Sequence, residues 1–182
     1  MRIITGLYKG RTIKTVPDLS VRPATDRVRQ TIFNMLEHRM VFGGATVLDL
    51  FAGSGSLGLE ALSRGAASVI FVESGREAAD KIEENLRAFG SARGEVIRED
   101  AVSYLARTNS PCDLIFADPP YTYEGTGELP SLIFGRRLVT SQGYLLIEHT
   151  KELSFASTAT YTIGPVKRFG RTFVTFIHGP EQ

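Results

Sequence analysis

An apolar run, Asp113-Leu-Ile-Phe-Ala117, ends in Asp118-Pro119-Pro120-Tyr121. Two consecutive prolines remove two backbone donors and fix two φ angles, so neither a strand nor a helix passes easily through them. The stretch reads as a buried strand that stops at a carboxylate, a rigid corner and an aromatic ring. Asp118 and the Pro119 carbonyl are two acceptors, enough for both N–H groups of an exocyclic amine. Pro120 stiffens the corner, and the Tyr121 ring can stack on a flat heterocycle. An aromatic amine is a weak nucleophile because its lone pair is delocalised into the ring. Two acceptors orient it and return electron density to nitrogen. Positioning and electrostatics then suffice for attack on a strong electrophile such as a sulfonium methyl group. Such an amine can be reached only in a base that is unpaired or turned out of its helix. Taken alone, the four residues could equally be a strand terminator without chemistry.

A second constellation lies upstream. Asp49-Leu-Phe51-Ala-Gly53-Ser-Gly55-Ser-Leu-Gly58 places a G-x-G-x-x-G pattern between a short apolar run and a helical one, the arrangement of a nucleotide-binding turn. Glu73 follows Gly53 by twenty residues, where a carboxylate can accept from ribose hydroxyls. A dinucleotide and S-adenosylmethionine both fit this pattern. Asp49 favours the second, because a carboxylate at the strand end repels a pyrophosphate and attracts a cationic amino acid. No Lys or Arg lies between Asp49 and Gly58 to offset it. Asp100, in Arg98-Glu-Asp-Ala101, ends a further strand and can accept from an adenine amine. It can equally cap a helix over 101–106, leaving the backbone of Ala101 to meet the adenine.

These residues need a scaffold that brings strand ends together, and the periodicity supplies one. Strands are expected at 46–50, 68–73, 95–98, 114–117 and 144–148. Helices are expected from Ser56 to Arg64, from Arg76 to Phe89 and from Ala101 to Ala106. Strands alternating with helices imply a mostly parallel sheet covered on both faces. A last pair, 159–163 and 172–177, reads as an antiparallel hairpin with turn signals at Gly164-Pro165 and Phe169-Gly170. That makes an α/β, Rossmann-like, seven-stranded sheet. Ahead of it, Arg2–Thr5 and Thr12–Val16 suggest a small β-arm. A helix capped by Thr25 or Asp26 then runs on through Val28, Ile32, Met35 and Leu36. Two regions are expected: a basic arm and helix over 1–40, and a catalytic domain over 41–182.

The chain has 182 residues and a net charge of +1, but the charge is uneven. Residues 1–40 hold eight basic and three acidic residues, a net +5, which leaves −4 for the remainder. A basic front on an acidic body points to a polyanion, although a merely solvated basic face explains the count as well. No apolar run approaches the ~20 residues of a membrane span, and Met1–Arg11 has no leader-like core. One cysteine, Cys112, excludes an internal disulfide and indicates a reducing, cytoplasmic setting. With His38, His149 and His178 scattered, no metal site is expected.

The joined motifs resemble the class I S-adenosylmethionine-dependent amino-methyltransferases across residues 46–178. Arg2-Ile-Ile-x-Gly6, Lys9-Gly-Arg11, Arg22-Pro-Ala-Thr-Asp-Arg-Val-Arg29 and Ile32-Phe-Asn34 narrow this. They resemble the bacterial 16S rRNA guanine-N2 methyltransferases of the small subunit, the methyltransferase D family. Ala24, between Pro23 and Thr25, departs from the pattern. The resemblance implies transfer of one methyl group to the N2 of a guanine in 16S rRNA. The substrate would be the 30S subunit or an assembly intermediate. The enzyme would be a monomer without metal, and S-adenosylhomocysteine the by-product. It assigns the cofactor to Asp49, Phe51, Gly53, Gly55 and Glu73, and the guanine to Asp118, Pro119, Pro120 and Tyr121. Arg2, Lys9, Arg11, Arg22, Arg27 and Arg29 would then meet RNA phosphates. Two residues apart on a helix is about 200°, so one of Arg27 and Arg29 must turn to the crevice or the core. An adenine-N6 or cytosine-N4 DNA methyltransferase shares the catalytic logic. A non-catalytic RNA-binding module or a nicotinamide-dependent reductase would share the sheet.

Overall fold

A computed structural model describes residues 1–16 and 26–180. Five strands form the body of one sheet: β1 (Thr46–Leu50), β2 (Ser68–Val72), β3 (Gly94–Ile97), β4 (Cys112–Ala117) and β5 (Val139–Thr150). β6 (Thr162–Phe169) and β7 (Thr172–His178) complete it in the order β3-β2-β1-β4-β5-β7-β6. Every pairing from β3 to β5 is parallel, while β7 runs antiparallel to β5 and β6 antiparallel to β7. The expected mostly parallel sheet with a terminal hairpin is therefore present.

Both faces are covered, which is why the central strands are apolar at nearly every position. α1 (Asp26–Glu37), α2 (Ser56–Ser63) and α3 (Arg76–Phe89) accompany one core cluster, in which Phe33, Leu59 and Ile82 meet Val47, Phe71 and Phe116. α4 (Ala101–Arg107) and α5 (Leu129–Gly135) cover the other, where Leu105 and Ile133 meet Leu48, Ile115 and Ile147. Asp100 is the N-cap of α4, accepting from the Ser103 amide at 2.9 Å.

The arm departs from its expected form. Its strands are reduced to a single antiparallel bridge, Arg2 with Thr12. Ile3 N and Ile13 N still donate across the arm to the Arg11 and Met1 carbonyls, both at 3.0 Å, but other arm amides go to helix side chains, since buried N–H groups must find acceptors somewhere. The Ile4 and Thr5 amides donate to the two carboxylate oxygens of Glu60 at 2.8 and 3.0 Å. Tyr8 N donates to Ser63 Oγ at 2.9 Å, and Lys14 N to Asn85 Oδ1 at 2.9 Å. Ile3, Tyr8 and Ile13 are buried in the α1–α3 core cluster. Gly6, at φ +86°, passes so close to α2 that a Cβ would lie 1.9 Å from the Ser63 carbonyl oxygen. Gly6→Ala must push the arm off the helix. We expect a loss of about 3 kcal/mol, and a thermal midpoint lowered by roughly 6–12 °C in calorimetry.

Three other differences have local causes. The segment 124–135, to which the sequence reading assigns no element, folds as a 3-10 turn (Glu124–Glu128) followed by α5. Pro130 sits in the first turn of α5, where its missing donor costs nothing. β5 begins five residues before the expected start, because Val139 already pairs with Cys112 before a register shift lets Tyr144 pair with Leu114. β6 runs past Gly164-Pro165, which forms an irregularity between Ile163 and Val166 rather than a turn. An edge strand tolerates proline there because one side of its backbone has no neighbour to bond.

Candidate functional site

β1 and β4 are neighbours, with Leu50 opposite Ala117, so the glycine loop and the Asp118 corner leave the sheet side by side. Leu50 O lies 3.5 Å from Asp118 N at that exit. The two loops also touch beyond it, where the rings of Phe51 and Tyr123 stand 5.2 Å apart. The motifs that sequence alone could only set side by side thus share one edge of the sheet.

The glycine loop is held open by acids. Phe51, Gly53 and Gly55 adopt φ values of 56°, 53° and 69°, a backbone region that costs a side chain such as Phe51's real strain. Asp49 Oδ2 accepts from the Gly58 amide at 2.9 Å. Glu73 accepts from the Gly53 and Gly75 amides at 2.7 and 2.6 Å, one on each oxygen. Gly58 is a packing glycine, since a Cβ there would lie 2.3 Å from the Phe71 ring. The turn therefore offers backbone to a ligand while its two flanking carboxylates hold its shape.

The electrostatics are unusual. Asp49 is only 2% exposed. Burial pushes its carboxyl up to about 8, against the Gly58 hydrogen bond, and the nearby charges of Asp118 and Glu73 add to the rise. Burial also raises Asp118. Residues missed by the sequence reading complete the site. Glu148 lies one residue past the Ala117–Ile147 pair, level with Asp118 on the neighbouring strand. Burial and repulsion from Asp118 raise its carboxyl, opposed by a hydrogen bond from Tyr121. By strand alternation Asp49, Asp118 and Glu148 follow Val47, Phe116 and Leu146, which all face the α1–α3 cluster. Three acids thus crowd one face of the sheet at its carboxyl edge, and none of them has an ion pair among the described residues. A cavity of about 230 Å³ opens beside them, bounded by Pro119, Pro120, Tyr121, Tyr123 and Glu148. Glu148 carried a signal that sequence could have used, because like Glu73 it is an acid at the end of an apolar strand.

Tyr121 is 57% exposed, and its hydroxyl pairs with Thr172 Oγ1 on β7. Its ring is therefore held at the rim of the cavity. Ala101 is buried behind Asp100.

The arm's cations distribute differently. Arg29 is a correction. Its guanidinium is fully buried, donating to Asp26 Oδ1 at 2.8 Å, to the Arg2 carbonyl and, at 3.5 Å, to the Ser56 carbonyl. It joins α1, the arm and the start of α2 and offers nothing to a phosphate. Arg27, two residues away, is exposed. Arg11 donates to Ala88 O at 3.1 Å and lies 5.5 Å from the Tyr8 and Phe89 ring centres. Those residues end α3, which starts near the carboxyl edge, so Arg11 sits about 20 Å from that edge by helix length. Lys9 is exposed on the same turn, and Arg2 projects its exposed side chain near the Arg29 contact. Arg22 and the segment Pro23–Thr25 lie outside the described residues. Among the described residues no acid, histidine or cysteine cluster could hold a metal ion, and no helix is long and apolar enough to cross a membrane.

Comparison with known proteins agrees with this arrangement. Residues 1–178 match the family described as conserved hypothetical protein 95. Ribosomal RNA small subunit methyltransferase D of Haemophilus influenzae is 33% identical over 174 residues, covering 93% of this chain and 89% of that protein. The Escherichia coli K12 protein of the same name is 41% identical over 121 residues, 66% of this chain and 60% of that one. The solved structure of Escherichia coli yhhF superposes with a TM-score of 0.88 at 33% identity, over 100% of this chain and 99% of that one. With the family match spanning residues 1–178 and relatives named small-subunit rRNA methyltransferase D at 33–41% identity, the chain belongs to the conserved hypothetical protein 95 family.

Proposed function

We propose that the protein transfers a methyl group from S-adenosylmethionine to the exocyclic N2 of a guanine in 16S rRNA, on the 30S subunit or its assembly intermediate. One observation carries the reading. Asp49 and Asp118 rise from adjacent strands to one edge of the sheet, where the Phe51 and Tyr123 rings meet. The cofactor fits the residues present: a buried carboxylate with no ion pair among the described residues, next to a turn where Gly53 leaves room for close approach. S-adenosylmethionine supplies an electrophilic methyl group, and the chain's residues do the rest.

Asp49 attracts the donor's amino acid end. Glu73 accepts from ribose hydroxyls with the capacity its oxygens keep beyond their two amide bonds, and Asp100 with the Ala101 backbone borders the adenine. Asp118 and the Pro119 carbonyl accept the two N–H bonds of N2, with Pro120 fixing their angle and Tyr121 stacking on the base. Glu148 accepts from the ring N1–H. This selects guanine, since adenine presents a lone pair at that position and would be repelled by a carboxylate. As the nitrogen–carbon bond forms and the carbon–sulfur bond breaks, one N2 proton passes by way of the Asp118 carboxylate to water. Arg2, Lys9, Arg11, Arg22 and Arg27 contact phosphates as a basic extension over 1–40 to the catalytic domain over 41–182. The protein acts as a cytoplasmic monomer and needs no metal.

The test is side-by-side incubation of 30S particles and duplex DNA with labelled cofactor, followed by nucleoside mass spectrometry. N2-methylguanine in 16S rRNA is the expected product. Label found only in DNA, as methyladenine or methylcytosine, would replace this reading with that of a DNA amino-methyltransferase.

A further inference from the structure

The arm's Lys9 and Arg11 lie far from the pocket, so the phosphates nearest the target base must meet other cations. The hairpin supplies them. Because β7 runs antiparallel to β5, with Thr172 opposite Thr150, the tip between β6 and β7 stands at the same edge as Asp118. The Tyr121 hydroxyl bonded to Thr172 ties that tip to the catalytic corner. From Thr162 to Phe173 the chain has three cations, Lys167, Arg168 and Arg171, and no acid. All three are exposed, and no ion pair engages them among the described residues. Arg168 is fixed in place by a 2.8 Å bond from Nε to Gly170 O and by its position 5.9 Å over the Phe173 ring. Lys151, beside Thr150, is exposed as well, partly offset by Glu152.

We propose that the β6–β7 tip is a second nucleic-acid surface, binding the phosphates of the single strand that flanks the target nucleotide. A strand that delivers one base into the cavity must carry its neighbouring phosphates over the rim, and this rim is cationic with an exposed aromatic ring, Tyr121, at its centre. Phosphate neutralisation with an adjoining stacking platform is how unpaired strands are held. The inference rests on the rRNA reading above and adds the place where the strand runs.

Lys167→Ala combined with Arg171→Ala tests it without touching the pinned Arg168. Binding to 30S particles is measured against salt concentration. The log–log slope is expected to become less steep by about two, one for each phosphate no longer neutralised. KM should rise roughly tenfold with kcat nearly unchanged, while calorimetry gives unaltered cofactor affinity and thermal midpoint. A second readout uses the chain's single cysteine. Cys112 is buried and its thiol is pushed up to about 11, so a photo-crosslinker on an Arg171→Cys variant labels position 171 selectively. Crosslinks should fall on nucleotides adjoining the methylated guanine. A wild-type slope for the double variant, with crosslinks absent or remote while the unmodified protein methylates 30S particles, overturns this inference and leaves the function intact. Failure of the unmodified protein to bind or methylate those particles removes both.

Discussion

Asp118→Ala binds the cofactor within about threefold of the wild-type protein and transfers methyl groups roughly 10³-fold more slowly, the scale set by losing one electrostatic partner of a transition state. The variant keeps the glycine turn, because Asp49 and Glu73 hold that turn through the Gly58, Gly53 and Gly75 amides and Asp118 does not. What disappears is an acceptor for an N–H that grows more acidic as the methyl arrives. Stability should not fall with it. Asp118 is a half-buried acid that raises both Asp49 and Glu148, so its removal relieves repulsion, and the thermal midpoint above neutral pH should stay level or rise. The same geometry fixes the sign of the pH dependence. The ionised carboxylate is the stronger acceptor and the one that can take up the departing proton, and burial lifts Asp118 above the usual carboxylate range. The rate in kcat/KM therefore falls as pH drops through that raised value, well before an ordinary aspartate would protonate. Burial alone raises Asp118, whereas Glu148 is raised further by repulsion from Asp118, so Glu148 is still neutral while Asp118 ionises and Glu148→Gln leaves the acidic limb in place. A limb that moves to lower pH would show Glu148 already ionised as Asp118 titrates.

Binding of S-adenosylmethionine is expected to expel a proton. In the free protein Asp49, raised to about 8, is largely protonated at neutral pH. A cationic ligand favours the charged carboxylate, so the complex holds Asp49 ionised. Affinity then climbs by up to tenfold per pH unit between about 6 and 8 and levels off above. Calorimetric titrations in buffers of differing ionisation enthalpy at pH 7 should register close to one proton released. An anionic dinucleotide would leave the proton where it is, so the buffer dependence also separates the two cofactor classes. Asp49→Asn should abolish the proton release and weaken binding roughly 10–100-fold, the cost of losing a charged hydrogen-bond partner. Proton release that persists in Asp49→Asn would place the titrating group elsewhere. The linkage has a counterpart in stability. A carboxyl with a raised folded value is a burden on the free protein once pH exceeds its unfolded value near 4, growing until about 8, and the bound cofactor removes it.

Local chemistry made the centre of the fold legible and left its margins obscure. Thr46–Leu50, Arg76–Phe89 and the glycine turn announce themselves because an apolar run of strand length, an amphipathic helix closed by Gly90 and closely spaced glycines are each short-range signals. Glu148 was hidden for a long-range reason. Its meaning depends on β5 lying beside β4 with Ile147 opposite Ala117, and pairing is not written in either strand alone. Arg29 misleads in the opposite way. A guanidinium reads as surface charge until Asp26 and the carbonyls of Arg2 and Ser56 are seen to enclose it. The net charge of residues 1–40 was real, but composition carries no direction, and the arm's turn takes Lys9 and Arg11 to the far end of α3.

That same arm fixes an order of events during synthesis. The helix acceptors for its amides, Glu60, Ser63 and Asn85, stand 55 to 71 residues downstream, so the arm has nothing to dock on until α2 and α3 have followed it from the ribosome. Ile3, Tyr8 and Ile13 are exposed during that interval, and closing so long a loop is slow. The arm thus docks only after α2 and α3 are made, while Phe116, Leu146 and Phe176 of the same cluster are still to come. A nascent chain halted before Asn85 has emerged would carry an unburied apolar strip open to protease or chaperone.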